Sequence, residues 1–521
     1  MTARTLARAG LIVTFAFLIS RVLGWLRLVV ITGSFGATTD LDAFFAAFRI
    51  PDLMFQLVAA GALSSALIPV VAGLLATDEE RRAWRVVSSV ANLMLVILLV
   101  LAALFAIFAA PIVEAITPGF DAATTARTVE LTRIMVLSPV LLAMGAVATS
   151  ALNAQGRFAA AAVAPIVYNL AIIGAAIFLA PTLGIHSLAV GVVGASLGHL
   201  LVQLPTLRRV GFRYQPMVDL GDRDTRQALR LLAPRAVGLG AGQIAITILT
   251  GLATGLGTGA VSAFVVATAL LQLPLGVIGI PLGVVILPTL SRELARGDAA
   301  TYVRLIMRAL QLLIYVMLPL TVLGIVLREQ AVSLLLGYGR FGGDAVLLTA
   351  ETLVFLLLGL TAHALIAVLA RAFYAAQDTR TPVMAALVAV GVNIAVGILA
   401  SAQLGLRGLG LAIAIGAWIE AVLLVAILTR RQPSFDATAL ARSLATSSIA
   451  AAVAGLVGSV ALGGLSGALG TDSKVALGIE LVVAGGLGGL AYLAMSRVLR
   501  IPELPALVGV VGDLIRRRRE A

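Results

Sequence analysis

Three arginines near the start of the chain stand in apolar stretches, and these are the residues best suited to chemistry. Arg21 and Arg27 fall in a run that stays apolar from Ala9 to Thr32, long enough to cross a membrane, and Arg49 falls in the next such run. Arginine inside a membrane span is costly and usually faces a water-filled cavity or a partner. Guanidinium grips phosphate through paired hydrogen bonds, so the pattern favours a cationic cavity for an anion, with phosphate as the leading candidate.

The composition is that of a membrane protein. Of the 521 residues, 60% are hydrophobic and 12% are charged, and the mean hydropathy is +1.08. Such a chain has too little polar surface to cover itself in water, and apolar stretches of about 20 residues recur along its length. Cysteine is absent and the three histidines lie far apart, so neither a metal nor another cofactor is expected.

The elements that must position the arginines are membrane-spanning helices. Apolar windows predict an all-α polytopic protein with about 14 transmembrane helices. The predicted spans cover residues 9–32, 42–75, 84–110, 124–150, 158–180, 186–206, 231–255, 261–290, 302–327, 345–370, 381–401, 406–429, 444–465 and 475–496.

The second predicted span is about 34 residues long where about 20 suffice, so we expect it to bend or break. It contains Pro51 and Gly61, and its counterpart in the second half of the chain contains Pro274 and Gly283. These four residues are candidate hinges for alternating access. Ordinary kinks stabilised by packing are the equal alternative.

Membrane topology explains the net charge of +12. Of the 37 basic residues, 27 are assigned to the side of the N-terminus, in loops or at the ends of spans, five to the opposite side and five to the interior of predicted spans. By the positive-inside rule, both termini are predicted to be cytoplasmic. Nucleic acid is therefore not an expected partner, and the basic tail, residues 501–521, is predicted to touch anionic membrane lipids.

The two halves of the chain resemble each other at an offset of about 223 residues. Phe35–Thr38 matches Thr258–Val261, and Tyr168–Ala171 matches Val392–Ala395. The offset spans six helices, an even number, so both halves enter the membrane in the same orientation, as in transporters with a site between the halves. We therefore predict two six-helix pseudo-symmetric lobes and two C-terminal helices, over residues 1–212, 213–432 and 433–500.

The alternative to an anion cavity is that nearby groups satisfy the arginines. Asp42 stands at the mouth of the second span, and Asp52 is the next acid along it. Arg27 and Arg49 lie about 8 and 10 Å below the predicted outer surface, close enough to reach the interface, whereas Arg21 lies about 17 Å below it. The cavity interpretation is therefore strongest for Arg21. The counterparts of the three arginines at an offset of 223 are Ile244, Thr250 and Gln272, which are all uncharged. Anion binding is therefore expected mainly in the first half.

Several motifs resemble the MurJ/MviN family, the bacterial lipid II flippases of the MOP exporter superfamily. They include SRVLG in the first span, DAFFAAFRIPDL from Asp42 to Leu53, TPGF at 117–120 and LNAQGRF at 152–158. The resemblance covers spans one to twelve. It implies a fourteen-helix fold with a central cationic cavity, a groove for a polyprenyl tail formed by the last two helices, and an undecaprenyl-diphosphate-linked peptidoglycan precursor as substrate.

By this resemblance, the substrate-binding residues are Arg21, Arg27 and Arg49, at cavity positions of the family, and Asp42, the acid of the DAFF motif. The chain departs from the family at other cavity positions. An arginine pair is replaced by Phe55 and Gln56, an acid by Ala60, and an Asp-Arg pair by Thr268 and Ala269. The cavity thus keeps part of the charge that the resemblance implies.

The leading functional hypothesis is outward flipping of a diphosphate-linked lipid, by alternating access, in the bacterial cytoplasmic membrane. Other cell-wall synthesis proteins are a further class of candidate partner. One alternative is a flippase for another polyprenyl-linked glycan. Another is a cation-coupled multidrug antiporter, which would want a buried carboxylate in the first-half cavity. A non-transporting scaffold would leave Arg21 without a purpose. No nucleotide-binding loop or catalytic constellation is present, so an enzyme is not expected.

Overall fold

Helices make up the regular structure of the described residues, among which no strand occurs. The computed structural model describes residues 3–58, 62–469, 473–505, 507 and 509, without the side chains of 3–12, 57–66, 229 and 231–241. The chain divides into two units. Unit 1 contains Met1–Ser262 and Tyr338–Gly342, and unit 2 contains Ala263–Gly337 and Gly343–Ala521. The all-α polytopic membrane fold expected from the sequence is confirmed.

Unit 1 is built from twelve helices and the first turn of a thirteenth, as far as the chain is described. They are α1 (Ala3–Phe35), α2 (Thr39–Val58), α3 (Ala62–Ala76), α4 (Glu80–Ile107), α5 (Ala109–Ile116), α6 (Ala122–Met135), α7 (Ser138–Ala154), α8 (Phe158–Gly174), a π-helical turn (Ala175–Leu179), α9 (Ala180–Leu183), α10 (His186–Leu201), α11 (Leu204–Arg209), α12 (Arg223–Thr254) and the start of α13 (Ala260–Pro274).

Unit 2 continues from α13 through a second π-helical turn, Leu275–Gly279. Its further helices are α14 (Ile280–Ala295), α15 (Ala299–Val326), α16 (Arg328–Leu336), α17 (Gly343–Leu357), α18 (Leu360–Ala375), α19 (Arg380–Leu404), α20 (Leu406–Arg431), α21 (Ala437–Leu469) and α22 (Lys474–Val498). The last two helices pack against each other, and α21 also packs on α15.

Eleven helical segments of the described chain are long and apolar enough to cross a membrane. A twelfth is counted if α17 and α18, which meet at a 47° bend, form one span. The two remaining predicted spans contain shorter apolar helices, Leu67–Ala76 and Gly242–Thr254. The structure is therefore consistent with fourteen spans, and the number itself stays a prediction.

The internal repeat is visible in the backbone of both halves of the sequence. Gly36 and Gly259, which precede α2 and α13, have φ angles of 68° and 81°. Gly184 and Gly405, which precede α10 and α20, have φ angles of 54° and 58°. This left-handed conformation is open to glycine because it has no Cβ. The two halves thus have a glycine in the left-handed conformation before corresponding helices.

The helix α12 belongs to unit 1, although the sequence assigns it to the second predicted lobe. It packs against α2 and α3, and Gln243 on α12 contacts Asp52 on α2. The compact unit therefore extends to Ser262, beyond the predicted boundary after residue 212. The division into lobes at that boundary remains a prediction.

The four candidate hinges fall in different settings. Pro51 is buried inside α2, which continues through it, and Gly61 lies outside the described residues. Pro274 ends α13 directly before the π-helical turn, a local irregularity of the kind that interrupts a helix. A Cβ on Gly283 would lie 2.7 Å from the Ala367 carbonyl oxygen, so close packing of α14 on α18 explains that glycine.

Candidate functional site

The three arginines of the sequence stand on two helices of unit 1. Arg21 and Arg27 belong to α1, which packs on α8, and Arg49 belongs to α2, which packs on α12. These neighbouring helices supply the residues that surround the guanidinium groups.

Arg27 lies over an aromatic ring. Its guanidinium carbon is 5.7 Å from the centre of the Tyr168 ring on α8, within the range of a cation–π interaction. The next residue, Asn169, donates a hydrogen bond of 3.3 Å to the Ser20 carbonyl oxygen on α1. Tyr168 and Asn169 thus both contact α1 from α8.

Arg49 lies beside an acid on its own helix. Asp52 follows it by three residues, on the same face of α2, and the opposite charges attract each other. Gln243 on α12 donates a hydrogen bond of 2.8 Å to Asp52 Oδ2. Arg49 Nε is buried and has no hydrogen-bond partner among the described residues, which leaves this arginine with unused donor capacity.

Tyr168 links the two arginine environments, because it is close enough to Arg27 and Asp52 for both charges to act on its phenol group. Tyr168 thus neighbours Arg27 and Asp52, and Arg49 lies three residues before Asp52 on α2. This described group contains two guanidinium groups and one carboxylate, so positive charge is in excess. Such an arrangement can bind an anion by charge and by paired hydrogen bonds.

Arg21 lies apart from this cluster. Its side chain is exposed, with the guanidinium carbon 5.2 Å from the centre of the Phe17 ring one turn earlier on α1. Six residues separate Arg21 from Arg27, which puts the two side chains about 9 Å apart along the axis and on different faces of the helix. The structure therefore does not place all three arginines around one point.

Asp42 has structural partners instead of a cation. Its carboxylate accepts hydrogen bonds from the Gly259 N–H at 2.6 Å, the Ser262 N–H at 2.7 Å and the Ser262 hydroxyl at 2.6 Å. Only 2% of the residue is exposed. Asp42 thus caps the first turn of α13. Its predicted part in substrate binding has no support in this geometry and stays a prediction.

The positions at which the chain departs from the MurJ/MviN pattern have uncharged roles. Phe55 packs against an apolar cluster that includes Ile50 and Met54, and Gln56 places a second amide beside Asp52. In unit 2, the Thr268 hydroxyl donates to the Phe264 carbonyl oxygen of its own helix at 2.7 Å. Ala60 lies outside the described residues.

Unit 2 contains an apolar groove of about 520 Å³ between α15 and α22. Pro319 and Leu323 line one wall, and Gly489 and Leu493 line the other, with Ile278 between them. The glycines of α22 in this wall have no side chain that would fill the groove. A groove of this chemistry suits a hydrocarbon chain.

Tyr168 and Gln243 were not predicted as site residues. Tyr168 is the first residue of the YNLA half of a repeat match, and its apolar surroundings concealed its contact with Arg27. Gln243 is a polar residue in a predicted span, which is the one sequence signal that could have drawn attention to it. Their partners lie 141 and 191 residues away in the chain, so spacing alone could not identify the pairs.

Comparison with known proteins gives a consistent result. The family model described as lipid II flippase MurJ matches residues 31–477. The lipid II flippase MurJ of Burkholderia cenocepacia is 32% identical over 449 residues, covering 82% of this chain and 85% of that protein. The probable lipid II flippase MurJ of Rhizobium tropici is 31% identical over 445 residues, covering 84% of this chain and 83% of that protein.

Solved structures agree on the fold. A lipid II flippase MurJ in an inward closed conformation has a TM-score of 0.77 and 22% identity, covering 94% of this chain and 98% of that chain. An inward-facing multidrug resistance MATE family transporter of the MOP superfamily has a TM-score of 0.63 and 18% identity, covering 80% and 95%. The family model and the two bacterial relatives extend over most of the sequence, and this chain therefore belongs to the lipid II flippase MurJ family.

Proposed function

We propose that this chain moves lipid II, a lipid-linked anionic peptidoglycan precursor, from the inner to the outer leaflet of the bacterial cytoplasmic membrane. The observation that carries the proposal is the cluster in unit 1, where Arg27 lies over Tyr168 and Arg49 lies beside Asp52. Guanidinium groups bind phosphate through paired hydrogen bonds. The relatives named lipid II flippases support a polyprenyl diphosphate as the source of that phosphate.

Arg21 has a separate part in this proposal. An exposed guanidinium near the middle of a membrane span is costly in lipid, so we place it facing a water-filled cavity. With the N-terminus in the cytoplasm, Arg21 lies nearer the cytoplasmic side than Arg27. The diphosphate would then meet Arg21 before it reaches Arg27 and Arg49.

Asp52 makes binding at Arg49 reversible. The Asp52 carboxylate attracts Arg49 by charge, so it competes with the incoming diphosphate for the guanidinium and favours its release. Gln243 holds Asp52 in place through its 2.8 Å hydrogen bond. A carrier must release its substrate as well as bind it, and this exchange of partners serves release.

The apolar groove in unit 2 is the proposed place for the polyprenyl tail. Its lining between α15 and α22 is almost wholly apolar, so a hydrocarbon tail can move from lipid into the groove without exposure to a polar surface. Both termini are proposed to be cytoplasmic, with the basic tail near anionic lipid. Enzymes that make or polymerise the precursor are proposed partners, because substrate must be delivered on one face and removed on the other.

The proposal is tested in a bacterium depleted of its own flippase. Expression of this chain should restore growth and the exposure of lipid II at the outer face, measured with an externally added enzyme that cleaves it. Arg27→Ala should weaken substrate binding roughly 10- to 150-fold, since a hydrogen-bonded charge contributes about 1.5–3 kcal/mol. Arg27→Lys should be intermediate, because lysine keeps the charge and loses the paired geometry.

Thr250→Ala is the matched control, because Thr250 is the counterpart of Arg27 in the repeat and, in the described part of the chain, its hydroxyl donates to the Ile246 carbonyl oxygen of its own helix at 2.7 Å. It should retain flipping at normal protein level. Full activity of Arg27→Ala would contradict the arginine site. Restored exposure of a different polyprenyl-linked glycan, without lipid II, would favour the alternative substrate.

A further inference from the structure

A group of buried polar side chains stands at one end of unit 2, outside the site described above. We name it the Glu503 cluster, and it consists of Glu503, Ser443, Ser447, Tyr315 and Tyr492. Glu503 is 7% exposed, Ser443 is 7% exposed and Ser447 is fully buried. The residues come from α15, α21, α22 and the segment after α22, so four separate parts of the chain meet here.

Contacts within the cluster are polar but incomplete. The Ser443 hydroxyl donates to Glu503 Oε1 at 3.1 Å, and the Tyr492 hydroxyl donates to the Tyr315 carbonyl oxygen at 2.7 Å. The Tyr315 and Tyr492 rings lie 5.0 Å apart, and the charge of Glu503 acts on both phenols. Ser447 lies one turn from Ser443 on the same face of α21 and beside Tyr492.

Three oxygens of this cluster have no hydrogen bond of normal geometry within the described chain. They are Glu503 Oε2, Ser447 Oγ and the Tyr315 hydroxyl oxygen, although Ser447 also interacts with the Tyr492 hydroxyl and the Tyr315 hydroxyl with Ser496. Buried polar groups without partners are rare, because each costs the free energy of its lost hydration. The nearby arginines Arg442 and Arg497 are exposed, and neither forms an ion pair with Glu503 in the described structure.

The backbone is arranged to turn Glu503 inward. After α22, Arg500 adopts a left-handed conformation with φ of 53°, which a residue with a side chain rarely takes. The Ile501 N–H then bonds back to the Ser496 carbonyl oxygen at 2.9 Å, which reverses the chain. Arg500 thus adopts an unfavourable conformation, and the residues Ile501 and Glu503 that follow it are buried.

We propose that the Glu503 cluster is a binding site for a monovalent metal cation of the Na⁺ or K⁺ type. All the available ligands are oxygens, as hard cations require. One carboxylate balances one positive charge, whereas a divalent ion would remain under-compensated in a buried setting. A proton bound to Glu503 would satisfy one of the three unpaired oxygens and one hydrogen-bond acceptor. A metal ion can be coordinated by several of these oxygens at once.

Cation binding has a direct consequence for the apolar groove. Tyr315 and Tyr492 belong to the cluster and also line the groove. An ion coordinated beside them would hold the two rings in one arrangement, and the width of the groove would depend on its occupancy. The binding itself does not rest on the proposed function, and it is measured without any lipid substrate.

The test uses the full-length protein purified in detergent. Thermal unfolding is followed in NaCl or KCl, with choline chloride added to hold the ionic strength constant, and binding of radioactive Na⁺ is measured in parallel. A ligand that binds only the folded state raises the unfolding midpoint in a saturable manner. We expect a saturable rise with Na⁺ or K⁺, absent with choline, and about one ion bound for each chain.

Glu503→Gln keeps the size of the side chain and should abolish the response. Ser443→Ala and Ser447→Ala should each weaken the apparent affinity about tenfold, and they provide the test if Glu503→Gln fails to fold. Glu480→Gln is the matched control, since Glu480 is a fully buried acid of α22 outside the cluster, and it should retain the response. Equal midpoints in Na⁺, K⁺ and choline, an unchanged response in Glu503→Gln, or its loss in Glu480→Gln would each overturn the proposal.

Discussion

At the scale of single residues, the choice of partner decides what an arginine can still bind. Arg27 lies over the face of Tyr168, and a stacked guanidinium keeps the N–H donors in its plane free. Arg49 lies near a carboxylate that attracts it by charge, and its buried Nε has no hydrogen-bond partner among the described residues. The aromatic partner therefore orients an arginine without using up its hydrogen-bonding capacity.

Substitution of Tyr168 tests this role. Tyr168→Phe should keep substrate affinity, because the ring face remains, whereas Tyr168→Leu should weaken binding about 2- to 30-fold through loss of a cation–π contact of about 0.5–2 kcal/mol. Affinity for a purified diphosphate-linked lipid in detergent is the measurement. If Tyr168→Phe lost as much affinity as Tyr168→Leu, the phenol hydroxyl would be the important group and the stacking argument would fail.

At the scale of elements, one acid connects two helix starts. Asp42, at the beginning of α2, accepts three hydrogen bonds at the first turn of α13. An anionic cap at a helix N-terminus satisfies unpaired N–H groups and is favoured by the helix dipole. The aspartate of the DAFF motif is therefore explained by helix capping in this structure.

Asp42→Ala should consequently destabilise the protein by about 1–3 kcal/mol, the range for a lost cap that leaves buried donors unpaired. The measurement is the thermal unfolding midpoint in detergent. Asp40→Ala is the control, since Asp40 forms a half-exposed ion pair with Arg127 and should change the midpoint little. An unchanged midpoint for Asp42→Ala, together with a loss of lipid binding, would instead restore Asp42 as a substrate residue.

A second interaction between elements involves Asp378, in the loop between α18 and α19. Burial of Asp378 tends to raise its pKa, but hydrogen bonds from the Thr381 side chain and backbone, with Arg431, outweigh this effect and lower the pKa to about 2. The ordinary value is 3.8, so the folded state holds the ionised acid more strongly than the unfolded state does. Its contribution to stability is full above about pH 4 and is lost as the pH falls towards 2.

We therefore expect the unfolding midpoint of the parent chain to fall more steeply below about pH 4 than that of Asp378→Asn. The midpoint is measured in detergent from pH 6 to the lowest pH at which the protein stays soluble. Arg431→Gln, which removes a partner of the same acid, should also make the fall of the unfolding midpoint at low pH less steep. Parallel curves for all three proteins would show that Asp378 does not contribute to acid sensitivity.

At the scale of the whole molecule, the proposed transport is sensitive to voltage. Each negative charge that moves outward across a membrane that is negative inside gains roughly 2.3 kcal/mol per 100 mV. The empty carrier returns with uncompensated arginines, and the same potential favours inward movement of positive charge. Both halves of the cycle can then proceed without ATP.

Collapse of the membrane potential with an ionophore should therefore stop flipping while ATP remains plentiful. Exposure of lipid II at the outer face is the measurement, and an ionophore that removes only the pH gradient is the control. Undiminished flipping in depolarised cells would reject a voltage-driven cycle. Sensitivity to the Na⁺ gradient in the same cells would point to coupling through a cation.

The sequence alone determined the class of the protein, its repeat and its family. Hydropathy and span length are local properties of the chain, because each membrane helix must satisfy its backbone hydrogen bonds within itself. The repeat could be read from short matches such as Gly36 with Gly259, whose shared left-handed backbone restricts the residue types that fit. The MurJ/MviN motifs indicated a family that the comparisons confirm.

Only the tertiary structure decided which groups become partners. Asp42 meets residues 217 and 220 positions away, and Asp52 meets Gln243 at a distance of 191 positions. The unpaired oxygens around Glu503 likewise come from helices far apart in the chain. A side chain's type limits the bonds that it can form, but its partner is set by helix packing, and packing depends on the whole chain.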